Sequence, residues 1–223
     1  MNGTLIVLEG IDGSGKSTQY RRLCQHMTAL GRPYHSVVFP RYDQDSSALV
    51  RMYLSGAFGT KPDDVNAYAA SAFYAVDRFA SFRMDWKADY EAGGLILADR
   101  YTTSNACHQG SKLPDDELPA YFDWLYDFEY HRLELPRPNL VLYLDVELDV
   151  ALAQMAERRR VSGESGDIHE KDAAYLGQCL RAGRRAAAHY GWTRIACLRD
   201  GKMRSIEDIH EEIFSHVLSV TDK

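Results

Sequence analysis

Residues 4–18, TLIVLEGIDGSGKST, decide the fold class of this chain. Residues 5–8 form a continuous apolar run, which is typical of a central strand in a parallel sheet. The run ends at Glu9, and the next residues fit the pattern G-x-x-x-x-G-K-[ST] at every position. Between a strand and a helix, such a loop directs backbone N–H groups and the positive end of the helix toward one anion. The pattern predicts a phosphate-binding loop, in which Lys16 reaches the β- and γ-phosphates and the Ser17 hydroxyl binds Mg²⁺.

We call residues 10–17 the P-loop. The predicted nucleotide-binding residues are Gly10, Ile11, Asp12, Gly13, Ser14, Gly15, Lys16, Ser17 and Thr18. The alternative is a chance glycine turn, but the strand–loop–helix context is the one in which this motif is functional. The motif alone does not distinguish a motor, a switch, a sensor or a small-molecule kinase.

Length and composition predict a globular protein. A chain of 223 residues with 45% hydrophobic and 26% charged residues is ordinary for one α/β domain, predicted here over residues 1–223. The net charge of −6 argues against a nucleic-acid partner, which usually requires a basic surface. A small anionic ligand remains compatible with this charge, because a local basic site can bind it.

The four cysteines are far apart and form no CxxC pair; they are Cys24, Cys107, Cys179 and Cys197. This pattern matches neither a disulfide framework nor a zinc site, and it favours a reducing compartment. The N-terminus lacks a signal-peptide pattern, and no apolar run approaches the length of a membrane span. We therefore expect a cytoplasmic protein without a membrane partner.

Strands and helices alternate along the rest of the sequence. Further strands are predicted over residues 36–39, 95–98, 140–144 and 193–198. Helices are predicted over residues 16–30, 63–90, 104–111, 115–131 and 170–190, with one from the fourth strand to 158–160 and one from 205. This order predicts an α/β fold with a doubly wound, mostly parallel sheet.

Charged residues follow three of the buried strands. Glu9, Asp99-Arg100 and Asp145 lie at strand ends, and the carboxyl ends of parallel strands face the ligand crevice. Asp99 is predicted to hold the metal or its water shell, the alternative being a cap on the next segment. Arg100 at a buried strand end requires an anion, which is either a phosphate or a structural carboxylate.

The helix predicted over 63–90 carries two different faces. Apolar residues at helical spacing form a predicted core stripe; they are Val65, Ala69, Ala72, Val76 and Phe79, with Phe73 at the border. Tyr74 and Arg78 share a face nearly opposite this stripe. This pair is suited to stacking on a nucleobase and hydrogen-bonding it, the alternative being a solvated surface pair.

Three consecutive arginines precede a polar, glycine-rich stretch. Arg158, Arg159 and Arg160 are suited to closing over transferring phosphates as part of a lid over about residues 158–169, or they form a solvated helix end. Asp167 and Glu170 follow, and they either pair with these arginines, help to hold Mg²⁺ or contact a sugar hydroxyl.

Four stretches together make the chain similar to the thymidylate kinases, a family of P-loop nucleoside-monophosphate kinases. They are EGIDGSGKST at 9–18, FPRY at 39–42, FYAVDR at 73–78 and DRYTTSNA at 99–106. An acidic residue inside the P-loop combined with Asp-Arg-Tyr is more specific than the P-loop pattern alone. The resemblance covers nearly the whole chain. It implies a five-stranded parallel sheet flanked by helices, a small lid, ATP and Mg²⁺ as cofactors, dTMP as acceptor and a homodimer.

The resemblance also implies residue roles. Asp12 would lie near the sugar and phosphate of the acceptor, and Arg41 and Arg100 would grip its 5′-phosphate. Tyr74 would stack on thymine, with Arg78 and Asn105 hydrogen-bonded to the base. The predicted sugar contacts are His108, Asp167, His169 and Glu170. The predicted catalytic residues are Lys16, Asp12 and Arg100 with a lid arginine, Arg158, Arg159 or Arg160.

Several positions depart from the family pattern. Tyr74 replaces the usual stacking phenylalanine, while His108 and His169 replace larger aromatic residues. Gln154 stands where many members have arginine. The P-loop has no arginine at Gly13 or Ser14, which resembles the subtype that supplies this charge from the lid. The implied function is phosphoryl transfer from ATP to dTMP. The alternatives are a kinase of another deoxynucleotide or a deoxynucleoside, or a nucleotide-binding relative with little turnover.

Overall fold

A five-stranded parallel sheet forms the centre of the protein, as predicted from the sequence. The computed structural model describes residues 2–162 and 173–222. The strands are β1 (Thr4–Glu9), β2 (His35–Val38), β3 (Leu95–Asp99), β4 (Leu140–Asp145) and β5 (Thr193–Ala196), in the spatial order β2-β3-β1-β4-β5. All four neighbouring pairs are parallel. A two-stranded antiparallel hairpin follows, made of β6 (Leu198–Arg199) and β7 (Lys202–Met203).

Helices flank this sheet. They are α1 (Lys16–Ala29), α2 (Ala48–Leu54), α3 (Ala67–Ser81), α4 (Lys87–Glu91), α5 (Leu118–Tyr126), α6 (Leu148–Ser162), α7 (Ala173–Tyr190) and α8 (Ile206–Thr221). Within the described residues, three π-helical segments interrupt or extend them, at Phe82–Trp86, Asn105–Gln109 and Asp127–Arg132. No helix in the described part of the chain combines the length and apolar character that a membrane crossing requires.

The apolar run of β1 fills the core on both faces of the sheet. Ile6 and Leu8 pack in the cluster that contains residues of α1, α7 and α8. Leu5 and Val7 point to the opposite face and pack in a cluster with Trp86. The run is continuous rather than alternating because both faces of a central parallel strand are covered.

Several predicted boundaries are wrong, each for a local reason. The helix predicted from residue 63 begins at Ala67, because the Asn66 side chain accepts a hydrogen bond from the N–H of Ala69 and caps it there. The fifth strand ends at Ala196, since Leu198 pairs with Met203 in the hairpin instead. The segments predicted as helices over 104–111 and 115–131 are largely π-helical, apart from α5.

The predicted core stripe of α3 is wrong. Val76 and Phe79 are 50% and 39% exposed, whereas Ala70, Ala75 and Arg78 are buried. The helix therefore buries the face that carries small residues and Arg78, and it exposes the larger apolar side chains. Spacing shows which residues share a face, but it does not show which face is covered. Burial of Arg78 is possible because the buried carboxylate of Glu129 neutralises it.

Candidate active site

The P-loop connects β1 to α1 through backbone conformations that glycine supplies. Gly13 and Gly15 have φ angles of +80° and +84°, in the left-handed region. A Cβ atom on Gly13 would lie 2.2 Å from the carbonyl oxygen of Ala151, so α6 packs directly against this loop. Ser14 Oγ is buried and forms no hydrogen bond with any described residue. A buried hydroxyl without a partner, just before a helix begins, is suited to binding an anion.

Asp99, the last residue of β3, lies beside Lys16. Its Oδ1 is 3.4 Å from Lys16 Nζ, and both side chains are almost fully buried. This oxygen forms no hydrogen bond within residues 2–162 and 173–222. Ser17 is exposed at the start of α1, and it lines one cavity together with Lys16 and Asp99.

These residues fit Mg²⁺. The ion usually takes one or two protein oxygens and completes its octahedral shell with phosphates and water. The Asp99 carboxylate and the Ser17 hydroxyl offer oxygens of this kind at the P-loop. In the described part of the chain, no cluster of three His, Cys, Asp or Glu residues is suited to a metal. A site that depends on phosphate oxygens does not need one.

Arg100 follows β3 in a left-handed conformation, with φ of +69°. Its guanidinium forms an ion pair with Asp12 of the P-loop and lies 3.6 Å from Glu9. Its Nη1 also donates a hydrogen bond to His108 Nε2 at 2.9 Å. Burial alone would lower the pKa of Arg100, but the carboxylates of Asp12 and Glu9 outweigh burial and raise it. Arg100 therefore stays charged, held between two carboxylates.

Asp12 is the P-loop member of this cluster. Burial alone would raise its pKa, but the positive charges around it, above all Arg100, lower the pKa far below the usual range of aspartate. Asp12 is consequently ionised at neutral pH. A carboxylate in this state can orient Arg100 and accept hydrogen bonds from a ligand hydroxyl.

Glu9 belongs to the site although it was not among the residues predicted to bind. Its carboxylate is fully buried and accepts hydrogen bonds from the Gly10 N–H at 2.9 Å and from the Thr103 and Ser104 hydroxyls at 2.7 and 2.6 Å. It thus connects the end of β1, the P-loop and the segment after Arg100. Its position at a buried strand end was the signal in the sequence.

Two cavities meet at Arg100. The P-loop cavity lies over residues 11–18 and is also lined by Asp99 and Arg158. The second, which we call the α3 cavity, is lined by residues that include Tyr74, Arg78, Asn105, His108 and Gln109. The residues that line both are Asp12, Phe39, Pro40, Tyr42 and Arg100. The P-loop cavity and the α3 cavity, which is lined mainly by aromatic and amide side chains, therefore share a wall that carries Arg100 and Asp12.

Comparison with known proteins identifies the family. The family model described as Thymidylate kinase matches residues 8–213. The chain belongs to the thymidylate kinase family. It is 30% identical over 171 residues to a thymidylate kinase of Mycobacterium tuberculosis, covering 76% of this chain and 78% of that one. It is 28% identical over 213 residues to the thymidylate kinase of Homo sapiens, covering 95% and 88%. A Cyanothece thymidylate kinase is 29% identical over 214 residues, covering 89% and 87%.

In this member of the thymidylate kinase family, most of the residues predicted to bind the acceptor nucleotide line one cavity. Tyr74, Arg78, Arg100, Asn105 and His108 all line the α3 cavity. The alternative, a solvated surface pair of Tyr74 and Arg78, is wrong for Arg78, because its side chain is buried and paired with Glu129. Gln109, which was not predicted, also lines this cavity, and its Oε1 is buried without a hydrogen bond in the described part of the chain.

Arg41 is not among the residues that line either cavity. Its guanidinium donates to Ser81 Oγ at 3.1 Å and to Asp85 at 3.0 Å, beyond the end of α3. Asp85 provides the carboxylate that attracts this charge. A phosphate contact of Arg41 stays a prediction.

The three arginines predicted to belong to a lid, Arg158, Arg159 and Arg160, differ in their surroundings. Arg158 lines the P-loop cavity, whereas Arg160 forms an ion pair with Glu157 and is largely exposed. Arg159 is half-buried on α6. Of the three, Arg158 is best located for a phosphate. Three predicted residues lie outside the described residues: Asp167, His169 and Glu170.

Asp145 does not extend the site, although it also ends a buried strand. Its carboxylate forms ion pairs with Arg184, at 2.8 Å, and with Arg194. Two arginines therefore use this carboxylate in a structural contact between β4, β5 and α7.

The contact between Gly13 and α6 generates a prediction for nucleotide binding. Gly13→Ala places a Cβ against a backbone carbonyl in a positive-φ conformation, so the P-loop must shift. Strain of about 1–3 kcal/mol should weaken the binding of a fluorescent ATP analogue by roughly 5- to 150-fold, measured by titration.

Gly31→Ala is the matched control. Gly31 also has a positive φ, of +65°, and it follows α1 at the end away from the P-loop. Apart from its two chain neighbours, no described residue has an atom within 4 Å of the position that its Cβ would take. This variant should bind the analogue like the wild type. Wild-type affinity in Gly13→Ala would contradict the proposed packing of the loop.

Proposed function

We propose that the protein transfers the γ-phosphate of ATP to the 5′-phosphate of dTMP, forming dTDP and ADP. The observation that carries this proposal is the shared wall of the two cavities, where Arg100 and Asp12 face both the P-loop and the α3 cavity. Membership of the thymidylate kinase family supports the same reaction. The chain would act as one kinase domain, with a lid over about residues 158–169.

The donor nucleotide binds at residues 10–18 in this proposal. Lys16 is the buried lysine of the P-loop and would contact the β- and γ-phosphates. Ser17 and Asp99 would hold Mg²⁺. When bound, this ion neutralises charge on the phosphates and orients them for transfer. Buried Ser14 would donate to a phosphate oxygen, which would satisfy its hydroxyl.

The acceptor nucleotide binds in the α3 cavity, with its 5′-phosphate at Arg100. Tyr74 would stack on the base, and Arg78 and Asn105 would hydrogen-bond its edge. His108, fixed to Arg100 through Nε2, would lie beside the sugar. Asp12 would accept from the sugar hydroxyl or orient Arg100 toward the phosphate. His169 and Glu170 keep their predicted role as sugar contacts.

The chemical step needs charge stabilisation rather than a general base. The attacking oxygen belongs to a phosphate that is already anionic at neutral pH. The residues therefore act by positioning the two phosphates in line and by stabilising charge on the transferring group. Lys16 and Arg100 would do this from the cavity walls, and Arg158 would add a third positive charge. Exclusion of water by the lid would prevent hydrolysis of ATP.

We further propose that the protein is a homodimer that pairs through the outer face of α3. Val76 and Phe79 are exposed on this face, and Met84 is exposed just beyond its end. Leu49 and Met52 on the neighbouring α2 are exposed as well. An apolar patch of this kind is expensive to leave in water, and a twofold axis would cover it with its own copy. The four free cysteines support a cytoplasmic location.

The reaction is tested by measuring ADP formation with ATP, Mg²⁺ and a panel of acceptors. The panel contains dTMP, dUMP, dCMP, dGMP and thymidine. We expect ADP formation to depend on an acceptor and to be fastest with dTMP. Lys16→Ala should lower kcat by about 10²–10³-fold, the scale for losing one charge-stabilising group, while the exposed Lys61→Ala should have no effect. ADP formation without an acceptor, or a preference for thymidine, would refute the proposal.

The dimer is tested by the mass of the protein in solution. The wild type should have the mass of two chains by light scattering at micromolar concentration. Phe79→Glu should yield the mass of one chain, because a charge cannot be buried without a partner at the centre of an apolar contact. Ile206→Glu, an equally exposed apolar site on α8, should remain dimeric. A wild-type monomer, or a dimeric Phe79→Glu, would place the contact elsewhere.

A further inference from the structure

Arg78 and Glu129 form a buried ion pair at the wall of the α3 cavity. Their residues are 1% and 0% exposed. Arg78 donates from Nε and Nη2 to the two carboxylate oxygens of Glu129, at 2.7 and 2.6 Å. Its third nitrogen, Nη1, forms no hydrogen bond with any described residue. Because Arg78 lines the cavity, Nη1 is the nitrogen that remains to donate to a ligand there.

Glu129 also fixes the side chain of Asn105. The amide Nδ2 of Asn105 donates to Glu129 Oε1 at 2.9 Å and to the carbonyl oxygen of Ser71 at 3.1 Å. Both partners are acceptors, so the amide nitrogen must face them, and the flipped orientation is excluded. Oδ1 forms no hydrogen bond within the described residues. Asn105 lines the α3 cavity, so Oδ1 is available there as an acceptor.

The backbone around both residues is arranged for this contact. Asn105 and Glu129 lie in separate π-helical segments, Asn105–Gln109 and Asp127–Arg132. Such segments are rare and frequently occur at functional sites. Tyr121 donates from its hydroxyl to the carbonyl oxygen of Asn105 at 3.1 Å, which further holds this residue. The orientation of Asn105 therefore depends on tertiary contacts, of which Glu129 is the charged one.

We propose that Glu129 is a positioning residue that makes the α3 cavity select bases with a carbonyl beside a ring N–H. This inference rests on the proposed function, because it assumes that an acceptor base occupies this cavity. Glu129 leaves one donor, Arg78 Nη1, and one acceptor, Asn105 Oδ1, on the cavity wall. A 4-oxopyrimidine such as thymine or uracil offers the complementary acceptor, O4, and donor, N3–H.

Cytosine offers the opposite pattern. Its 4-amino group is a donor that would meet Arg78, and its N3 is an acceptor that would meet Asn105 Oδ1. Both hydrogen bonds would be lost, and buried polar groups would remain unpaired on each side. Sites that hydrogen-bond a substrate discriminate strongly against analogues that cannot pair in this way.

The nucleotides dTMP and 5-methyl-dCMP test the hydrogen bonds at this edge of the base. They differ at position 4 and at N3, and both carry the 5-methyl group. The wild type should prefer dTMP in kcat/KM by at least about 100-fold. Glu129→Gln keeps the shape of the side chain but replaces one acceptor oxygen with a donor NH₂. It then leaves Arg78 or Asn105 without an acceptor. The Asn105 amide can satisfy the Ser71 carbonyl or the new NH₂ but not both, so its orientation is no longer fixed.

Glu129→Gln should therefore narrow the preference for dTMP over 5-methyl-dCMP at least about tenfold. The change should come mainly from a higher KM for dTMP, and the KM for ATP should stay the same. Glu212→Gln is the matched control, because Glu212 also pairs with an arginine, Arg204, but on α8 and outside the cavity. It should keep the wild-type preference.

Glu129→Asp is a second variant in case Glu129→Gln fails to fold. Aspartate has only acceptor oxygens, and Asn105 still faces the Ser71 carbonyl, so the preference should persist while KM rises. An equal loss of kcat/KM for dTMP and for 5-methyl-dCMP in Glu129→Gln would overturn the inference. A lost preference for dTMP in Glu129→Asp would also overturn it. Equal use of both acceptors by the wild type would also overturn it. Absence of any activity with dTMP would instead refute the proposed function.

Discussion

The placement of one positive charge, that of Arg100, governs the arrangement of this site. An arginine at the end of a buried strand must be neutralised, and Asp12 and Glu9 do this from two different segments. Glu9 ends β1, Asp12 lies in the P-loop, and Arg100 follows β3, so the pairing joins the neighbouring strands β1 and β3 at their carboxyl ends. The same cluster forms the wall between the P-loop cavity and the α3 cavity. The ion pairs that neutralise Arg100 therefore also form the junction between the two cavities that we propose for the donor and the acceptor nucleotide.

The same principle recurs on α3. Arg78 is buried because Glu129 pairs with it through two hydrogen bonds, and this pair also fixes Asn105. A buried pair of this type contributes little net stability, since desolvation offsets the attraction between the charges. Its value lies in orientation, because it leaves defined donor and acceptor atoms on a cavity wall. The opposite face of α3 is free to carry Val76 and Phe79, which are suited to a contact between subunits.

Local sequence patterns predicted the sheet and the P-loop because these features depend on neighbours along the chain. The apolar run of residues 5–8 is typical of a strand that is covered on both faces. The glycines of the P-loop supply conformations that other residues adopt with strain. The face of α3 that is buried could not be predicted, because it depends on Glu129, which lies 51 positions beyond Arg78. The π-helical segments and the pairing of Arg41 with Asp85 likewise depend on contacts that no local pattern encodes. The position of Glu9 at the end of a strand indicated that it faces the site. Its contacts with Thr103, Ser104 and Arg100 could not be read from the sequence.

In the proposed function, Arg100 joins the P-loop to the phosphate of the acceptor nucleotide. The most direct test is calorimetric measurement of dTMP and thymidine binding to the wild type and to Arg100→Met. A thermal unfolding transition like that of the wild type first verifies that the variant is folded. Loss of a charged hydrogen bond, about 1.5–3 kcal/mol, should weaken dTMP binding by roughly tenfold to a hundredfold and leave thymidine binding unchanged. Wild-type affinity for dTMP in Arg100→Met, or an equal loss for dTMP and thymidine, would contradict the account.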